Sequence, residues 1–185
     1  MAEAKRPAAD YRVFETAWGW CAAARTNLGY CALVLPMKSR AEAEAAIRAR
    51  APGAVSLPSG MGALVSAVTR YFAGERVEFE GDLDFTAGTP FQRRVWQAAL
   101  KAGYGRVMTY AGVALEMGRP GADRAVAGAL ARNPLPLIVP CHRIVRSDGR
   151  LGGFSGPGGV AMKEAMLRLE GARLVMDGKT PRVTA

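Results

Sequence analysis

Histidine is almost absent from this 185-residue chain: the one present, His142, directly follows one of only three cysteines. That scarcity excludes a good deal. Cys21, Cys31 and Cys141 are odd in number and widely spaced, which argues against a disulfide framework. With a single histidine they offer no paired ligand spacing for a metal. No apolar run reaches the ~18 residues of a transmembrane helix. The opening Met-Ala-Glu-Ala-Lys-Arg-Pro lacks the apolar stretch of a secretory signal. Internal repeats, low-complexity segments and the nucleotide-binding glycine patterns are missing too. The expectation is a cytoplasmic protein in a reducing compartment, with no membrane contact, no metal and no cofactor.

What is present describes a globular chain. Half the residues are apolar and 22% are charged, enough to bury a core and build one or two domains. The net charge of +9 is unevenly placed. Residues 1–85 carry 10 Lys+Arg against 10 Asp+Glu, whereas residues 86–185 carry 15 against 6. A neutral part joined to a basic one is the electrostatic pattern of a nucleic-acid-binding half. A merely basic surface would give the same numbers, so charge alone leaves both readings open.

In the first part, two apolar runs between Trp18 and Leu35, separated by Arg25 to Gly29, predict a hairpin. Ser39 and Glu42 form a capping-box signature that opens a helix closed by Pro52-Gly53. Gly62 to Phe72 has helical periodicity, and Val77 to Leu83 alternates like an edge strand. The result is a small α/β domain over 1–85, in a structural or supporting role. A linker at Asp84 to Gly88 leads to a mostly helical domain over 86–185. There Thr89-Pro90 predicts an N-cap and first helical residue, with the helix running to about Lys101. Thr109 caps a second helix to about Met117, Gly118 to Gly121 breaks the chain, and a third runs from Ala122 to Arg132. Two helices joined by a short Gly/Pro-bearing turn form a candidate helix-turn-helix. The third helix presents Ala125, Ala127, Gly128, Ala129 and Ala131, small enough to approach a nucleic-acid groove or to pack closely on another helix. Leu137-Ile138-Val139 is expected as a short buried strand entering Pro140-Cys141-His142. A glycine-dense loop follows, then a helix from Val160 to Leu169. The tail from Asp177 is expected to fray.

Cys141 is the candidate nucleophile. A thiol attacks as thiolate, and a neighbouring base or positive charge promotes that form. The base must be His142, with Arg143 and Arg146 adding positive field. Successive residues of a strand point to opposite faces, so either the backbone turns at this point or a water links the pair. A carboxylate is then required to orient the imidazole. Cys21 and Cys31 have no such neighbours and read as structural. The loop after Cys141 is either a phosphate cradle or a pocket lid, with Phe154 as a stacking surface for a planar ligand.

From Thr89-Pro90-Phe91-Gln92 through Gly105-Arg106-Val107-Met108-Thr109-Tyr110, Arg124-Ala125-Val126, Arg132-Asn133-Pro134 and Pro140-Cys141-His142-Arg143 to Leu169-Glu170-Gly171, the chain resembles one family. It is that of the methylated-DNA–protein-cysteine methyltransferases, or O6-alkylguanine-DNA alkyltransferases. The resemblance implies an RNase H-like fold for the first domain and direct repair of alkylated guanine in duplex DNA. Cys141 would take the alkyl group irreversibly and once, with no cofactor. His142 would act as base through a water, with Glu170 behind it, and Asn133 would brace the active-site turn. Tyr110 would contact the phosphate of the flipped nucleotide and assist proton transfer to the leaving guanine. Arg124 would fill the gap in the base stack while Ala125, Ala127, Gly128, Ala129 and Arg132 meet the minor groove. Phe154, Ser155, Val139 and Pro140 would surround the base. The protein is expected to be a monomer without an obligate protein partner, and O4-alkylthymine is a less certain substrate.

Two features depart from the family pattern. The loop Phe154-Ser155-Gly156-Pro157-Gly158-Gly159 is longer than the Ser-Gly-Gly of close relatives, and Pro157 fixes φ and removes a donor. No histidine precedes His142, so the zinc site of some members is not carried over. Three alternatives remain. A non-enzymatic lesion-recognition protein would replace the cysteine, a helix-turn-helix regulator would need base-reading side chains, and a cysteine hydrolase would turn over.

Overall fold

The computed structural model describes residues 9–177 and 180–183. The polar N-terminal stretch read for a secretory signal lies outside the described residues. The chain divides into two compact units between Phe85 and Thr86.

The first unit is built on a four-stranded sheet. Strands β1 (Asp10–Thr16), β2 (Gly19–Thr26) and β3 (Gly29–Met37) form an antiparallel meander, and β4 (Val55–Ser56) joins β1 in parallel, giving the order β3-β2-β1-β4. The expected hairpin is β2–β3, with Asn27-Leu28 at its tip. Helix α1 (Arg40–Arg50) begins where the Ser39 hydroxyl accepts the Glu42 N–H at 3.2 Å. It lays Ala43 and Ile47 over Tyr11, Ala22, Ala24, Ala32 and Val34. The alternate strand residues Cys21, Ala23, Leu33 and Leu35 are buried as well, so both faces of β2 and β3 are covered, and their sequences read as continuous apolar runs. Helix α2 (Gly62–Phe72) packs against β1 through a face that includes Leu64 and Val68. The edge strand expected over Val77 to Leu83 does not form. That segment is irregular, joined to the sheet margin by one bridge between Tyr30 and Leu83. Alternation alone failed because Glu78, Glu80 and Asp82, not a packed face, produced it.

The second unit centres on three helices. In α3 (Pro90–Ala99) the capping box at Thr89 is reciprocal: the Thr89 hydroxyl accepts the Gln92 N–H, and Gln92 accepts the Thr89 N–H. Val95 and Trp96 point inward, and the Trp96 indole donates to the Ala129 carbonyl at 3.0 Å. That bond ties α3 to α5 (Asp123–Leu130), which also packs on α4 (Tyr110–Glu116). Helix α5 is shorter at both ends than its sequence suggested.

Two short strands then place the chemistry. Strand β5 (Met108–Thr109) pairs in parallel with β6 (Ile144–Val145), bringing the start of α4 beside the residues that follow Pro140-Cys141-His142. The strand expected at Leu137 to Val139 is instead a buried turn, with Leu137 at φ 79° and a bridge from Pro136 to Val139. A left-handed leucine costs about 1–2 kcal/mol and breaks the extended path that a strand needs. Helix α6 (Val160–Leu169) matches its expected span. The tail does not fray throughout, because β7 (Leu174–Asp177) pairs antiparallel with β8 (Thr180–Val183). Among the described residues no helix is long and apolar enough to cross a membrane.

Candidate active site

Cys141, His142 and Arg143 form one turn of 3-10 helix, so the backbone turns at the nucleophile. The turn that the sequence left open is thus present, and it does not itself replace a water between the two side chains. Asn133, 7% exposed just beyond α5, braces that turn with a fully used amide. Its Nδ2 donates to the Val139 carbonyl at 2.9 Å and to the Cys141 sulfur at 3.2 Å, and its Oδ1 accepts the Leu135 N–H at 3.0 Å.

Behind the turn is a buried ion cluster. His142 Nε2 lies 2.7 Å from Glu170 Oε1, and neither side chain has any solvent exposure. Arg143 donates from Nε to Glu170 Oε2 at 2.8 Å, from a terminal nitrogen to Oε1 at 2.9 Å, and to the Ala102 carbonyl at 2.7 Å. The Gly105 N–H adds a bond to Glu170 Oε2 at 3.2 Å. Burial pushes the Glu170 carboxyl up, but the His142 and Arg143 donors outweigh it and hold its pKa at about 2. For His142 burial wins over the pull of Glu170, so the imidazole sits below its ordinary 6.5 and is neutral at pH 7.

The thiol is also governed first by burial, which raises its pKa above the usual 9, opposed by the Asn133 hydrogen bond and by the charge of Lys163. The expected field from Arg143 is corrected, since its guanidinium is paired with Glu170, and Lys163 is a further cation whose charge favours thiolate. Lys163 is fully buried on α6, with Nζ donating to the Ile144 and Leu151 carbonyls, both at 2.5 Å, and lying 5.7 Å from the Tyr110 ring centre. Burial lowers its pKa to about 8. Sequence reasoning missed it, although Val160, Lys163, Met166 and Leu167 share a helix face and a lysine at an apolar position was the available signal.

A pocket of about 280 Å³ opens on Cys141, lined by Tyr110, Ala127, Leu130, Ala131, Gly153, Phe154 and Ser155. The structure thus brings together Cys141, Tyr110, Ala127, Phe154 and Ser155 of the expected set and adds Leu130 and Ala131. Val139 and Pro140 are buried and do not line it. Tyr110 stands where Gly152, at φ 71°, passes so close that a Cβ would come within 3.0 Å of the phenol oxygen. On α5, Arg124, Ala125 and, past its end, Arg132 are exposed, with Ala127 and Gly128 half-buried. Ala129 is corrected: it is 3% exposed and faces the core, where its carbonyl takes the Trp96 indole. Among the described residues no group of three or more His, Cys, Asp or Glu could hold a metal ion.

Residues 90–172 match the family model described as the DNA binding domain of 6-O-methylguanine DNA methyltransferase. The chain is 43% identical over 120 residues to the methylated-DNA–protein-cysteine methyltransferase of Mycobacterium tuberculosis, a span covering 65% of this chain and 71% of that one. The chain belongs to the methylated-DNA–protein-cysteine methyltransferase family. Another member, from Salmonella typhimurium, is 45% identical over 114 residues, 62% of this chain and 66% of its own. Among solved members, the M. tuberculosis OGT in complex with DNA superposes with a TM-score of 0.74 at 35% identity, covering 87% of this chain and 92% of that one. The residues matched by the DNA-binding family model, 90–172, fall within the second unit.

Proposed function

We propose that Cys141 is the acceptor of a single-turnover DNA repair reaction that takes the alkyl group from O6-alkylguanine in duplex DNA. The protein is a DNA repair methyltransferase of its family; the assignment of roles to residues is our own. The observation that carries it is the pocket of about 280 Å³ with the Cys141 thiol in its wall and a neutral, carboxylate-backed histidine adjacent in the chain. A pocket of that size admits one substituted base, so the target nucleotide must leave the duplex stack.

The geometry is compatible with the following roles. With Nε2 bonded to Glu170, the other nitrogen of His142 acts on a water that takes the thiol proton. Sulfur attacks the alkyl carbon, the S–C bond forms as the C–O6 bond breaks, and the electron pair leaves on guanine. Tyr110, on the pocket wall, gives its phenol proton to that guanine and is reprotonated from solvent, while His142 returns the thiol proton to solvent; the net result is one proton on the base and the alkyl group on sulfur. Glu170 stabilises the imidazolium while it exists. A thioether is a poor leaving group, so each molecule reacts once. The thiol rests protonated because burial favours the neutral form.

Helices α4 and α5 with their Gly118–Gly121 turn are read as a helix-turn-helix. Arg124, Ala125, Ala127, Gly128 and Arg132 face the minor groove, Arg124 fills the vacated stack, and Phe154 and Ser155 flank the base. Support for the groove reading comes from the exposed Ala125 together with the half-buried Ala127 and Gly128 on the same helix. The first unit, with its antiparallel meander and parallel fourth strand, is read as RNase H-like and supporting, and the protein as a monomer. Incubation with duplex DNA carrying labelled O6-methylguanine tests the proposal. One equivalent of label on Cys141 is expected, and none on the Cys141→Ala variant, which still binds DNA. Binding without transfer, or repeated turnover, overturns it.

A further inference from the structure

We infer that Arg146 seats the phosphodiester of the flipped nucleotide, in an open groove that adjoins the base pocket. The inference rests on the base-pocket reading above. The groove, about 530 Å³, is lined by Arg124, Arg146, Asp123 and Asp148, and it shares Tyr110, Ala127 and Gly153 with the inner pocket. A base held in the inner pocket remains bonded to its sugar and phosphate. Those groups must therefore occupy the space across the shared wall.

Two cations line that space. Arg124 stands on α5, assigned above to the gap in the base stack. Arg146 stands on the opposite wall, directly after β6, and its side chain is 60% exposed. Its backbone is well fixed: the Arg146 N–H donates to the Arg150 carbonyl at 2.9 Å, and the Arg146 carbonyl accepts the Gly149 N–H at 2.9 Å. The guanidinium is held only at 3.5 Å by Asp148, whose other oxygen lies 3.7 Å from Arg150. Exposed pairs of this kind contribute little. A phosphodiester, with two charged oxygens matching the guanidinium fork, displaces the carboxylate readily. The charge of Arg146 also acts on Tyr110, drawing its phenol down against the burial and the Cys141 charge that together raise its pKa above 10. The arginine thus lies within electrostatic reach of the residue at the pocket mouth. Asp123 and Asp148 line the same groove and oppose an anion, which fixes the sign of a second test.

Duplex affinity is measured in the Cys141→Ala background, so that no transfer intervenes, on lesion duplexes with and without one uncharged methylphosphonate beside the lesion. Neutralising the seated phosphate is expected to weaken binding about five- to tenfold, and Arg146→Gln to weaken it as much while lowering the salt slope by about one. In Arg146→Gln the methylphosphonate then adds no further loss. Arg146→Lys restores the slope, and Asp148→Asn, which keeps an acceptor for the Arg150 N–H, binds more tightly. A full methylphosphonate penalty in Arg146→Gln, or an unchanged slope, overturns the phosphate seat. Absence of label transfer by the unaltered protein overturns the functional proposal instead, so the two failures are distinct.

Discussion

Replacing Glu170 with glutamine removes one charge and almost no volume, which isolates the electrostatics of the buried cluster. Glu170 is the common acceptor for His142, Arg143 and the Gly105 N–H. Its loss leaves the Arg143 guanidinium, 8% exposed, without a counter-charge. Removing one partner of a buried pair costs about 3–5 kcal/mol. The depression of the Glu170 carboxyl from 4.5 to about 2 gives an independent figure of about 3 kcal/mol. The two agree. With a urea dependence of about 2 kcal/mol per molar, the midpoint of the second unit should fall by about 1.5–2.5 M. Trp96, 3% exposed in that unit, supplies a fluorescence signal. Because the folded carboxyl titrates below the unfolded one, its contribution is whole above pH 4.5 and disappears as pH falls towards 2. The gap between wild type and Glu170→Gln should therefore close over that interval. A midpoint shift below 0.5 M (about 1 kcal/mol at that slope), or a gap that stays constant from pH 5 to pH 2, refutes the reasoning.

Three further outcomes are expected. The transfer rate should hold steady down to pH 6.5 and fall only below it, where His142 takes up its proton, because burial lowers its pKa; an acid limb above pH 7 in single-turnover kinetics contradicts this. Asn133→Ala should cost about 1–3 kcal/mol, since it strands the buried Leu135 N–H, while the Val139 carbonyl keeps its bond from the Cys141 N–H at 2.7 Å. It should also push the Cys141 thiol still higher, read as slower alkylation by a small electrophile at fixed pH. Lys163 titrates at about 8 in the fold against 10.5 unfolded, so the unfolded chain holds the proton between those values and stability rises with pH there. Compared with Lys163→Met, the wild type should gain up to about 3 kcal/mol from pH 8 to 10.5 in urea melts; parallel curves overturn the assignment.

Local signals in the sequence were dependable where the physics is local. Thr89-Pro90 with Gln92, Thr109 before Tyr110, and Gly171 after α6 each marked a helix end because capping needs only neighbouring residues. Strand β1 was missed, since its partners are supplied by β2 and β4 rather than by its own pattern. The β7–β8 hairpin was overlooked despite Asp177-Gly178, a dipeptide that favours tight turns. Around Cys141 the apolar run Leu137-Ile138-Val139 was buried as expected but not extended, because Asn133 binds the chain into a turn. The pairing of His142 with Glu170, 28 residues apart, was visible only through family resemblance. Charge at an apolar helix position was a second overlooked clue, and it concealed Lys163.

The solitary histidine has a consequence for how the protein responds to its surroundings. His142 is wholly buried, so no exposed side chain has an ordinary pKa between the carboxylates and the alkaline groups. The surface that meets phosphates keeps its charge across mild acid. Capture of DNA is then set by ionic strength and nearly indifferent to protons, while the chemical step follows protons through His142. Two solution variables address two stages of one event, and an experimenter can vary either while the other stays fixed.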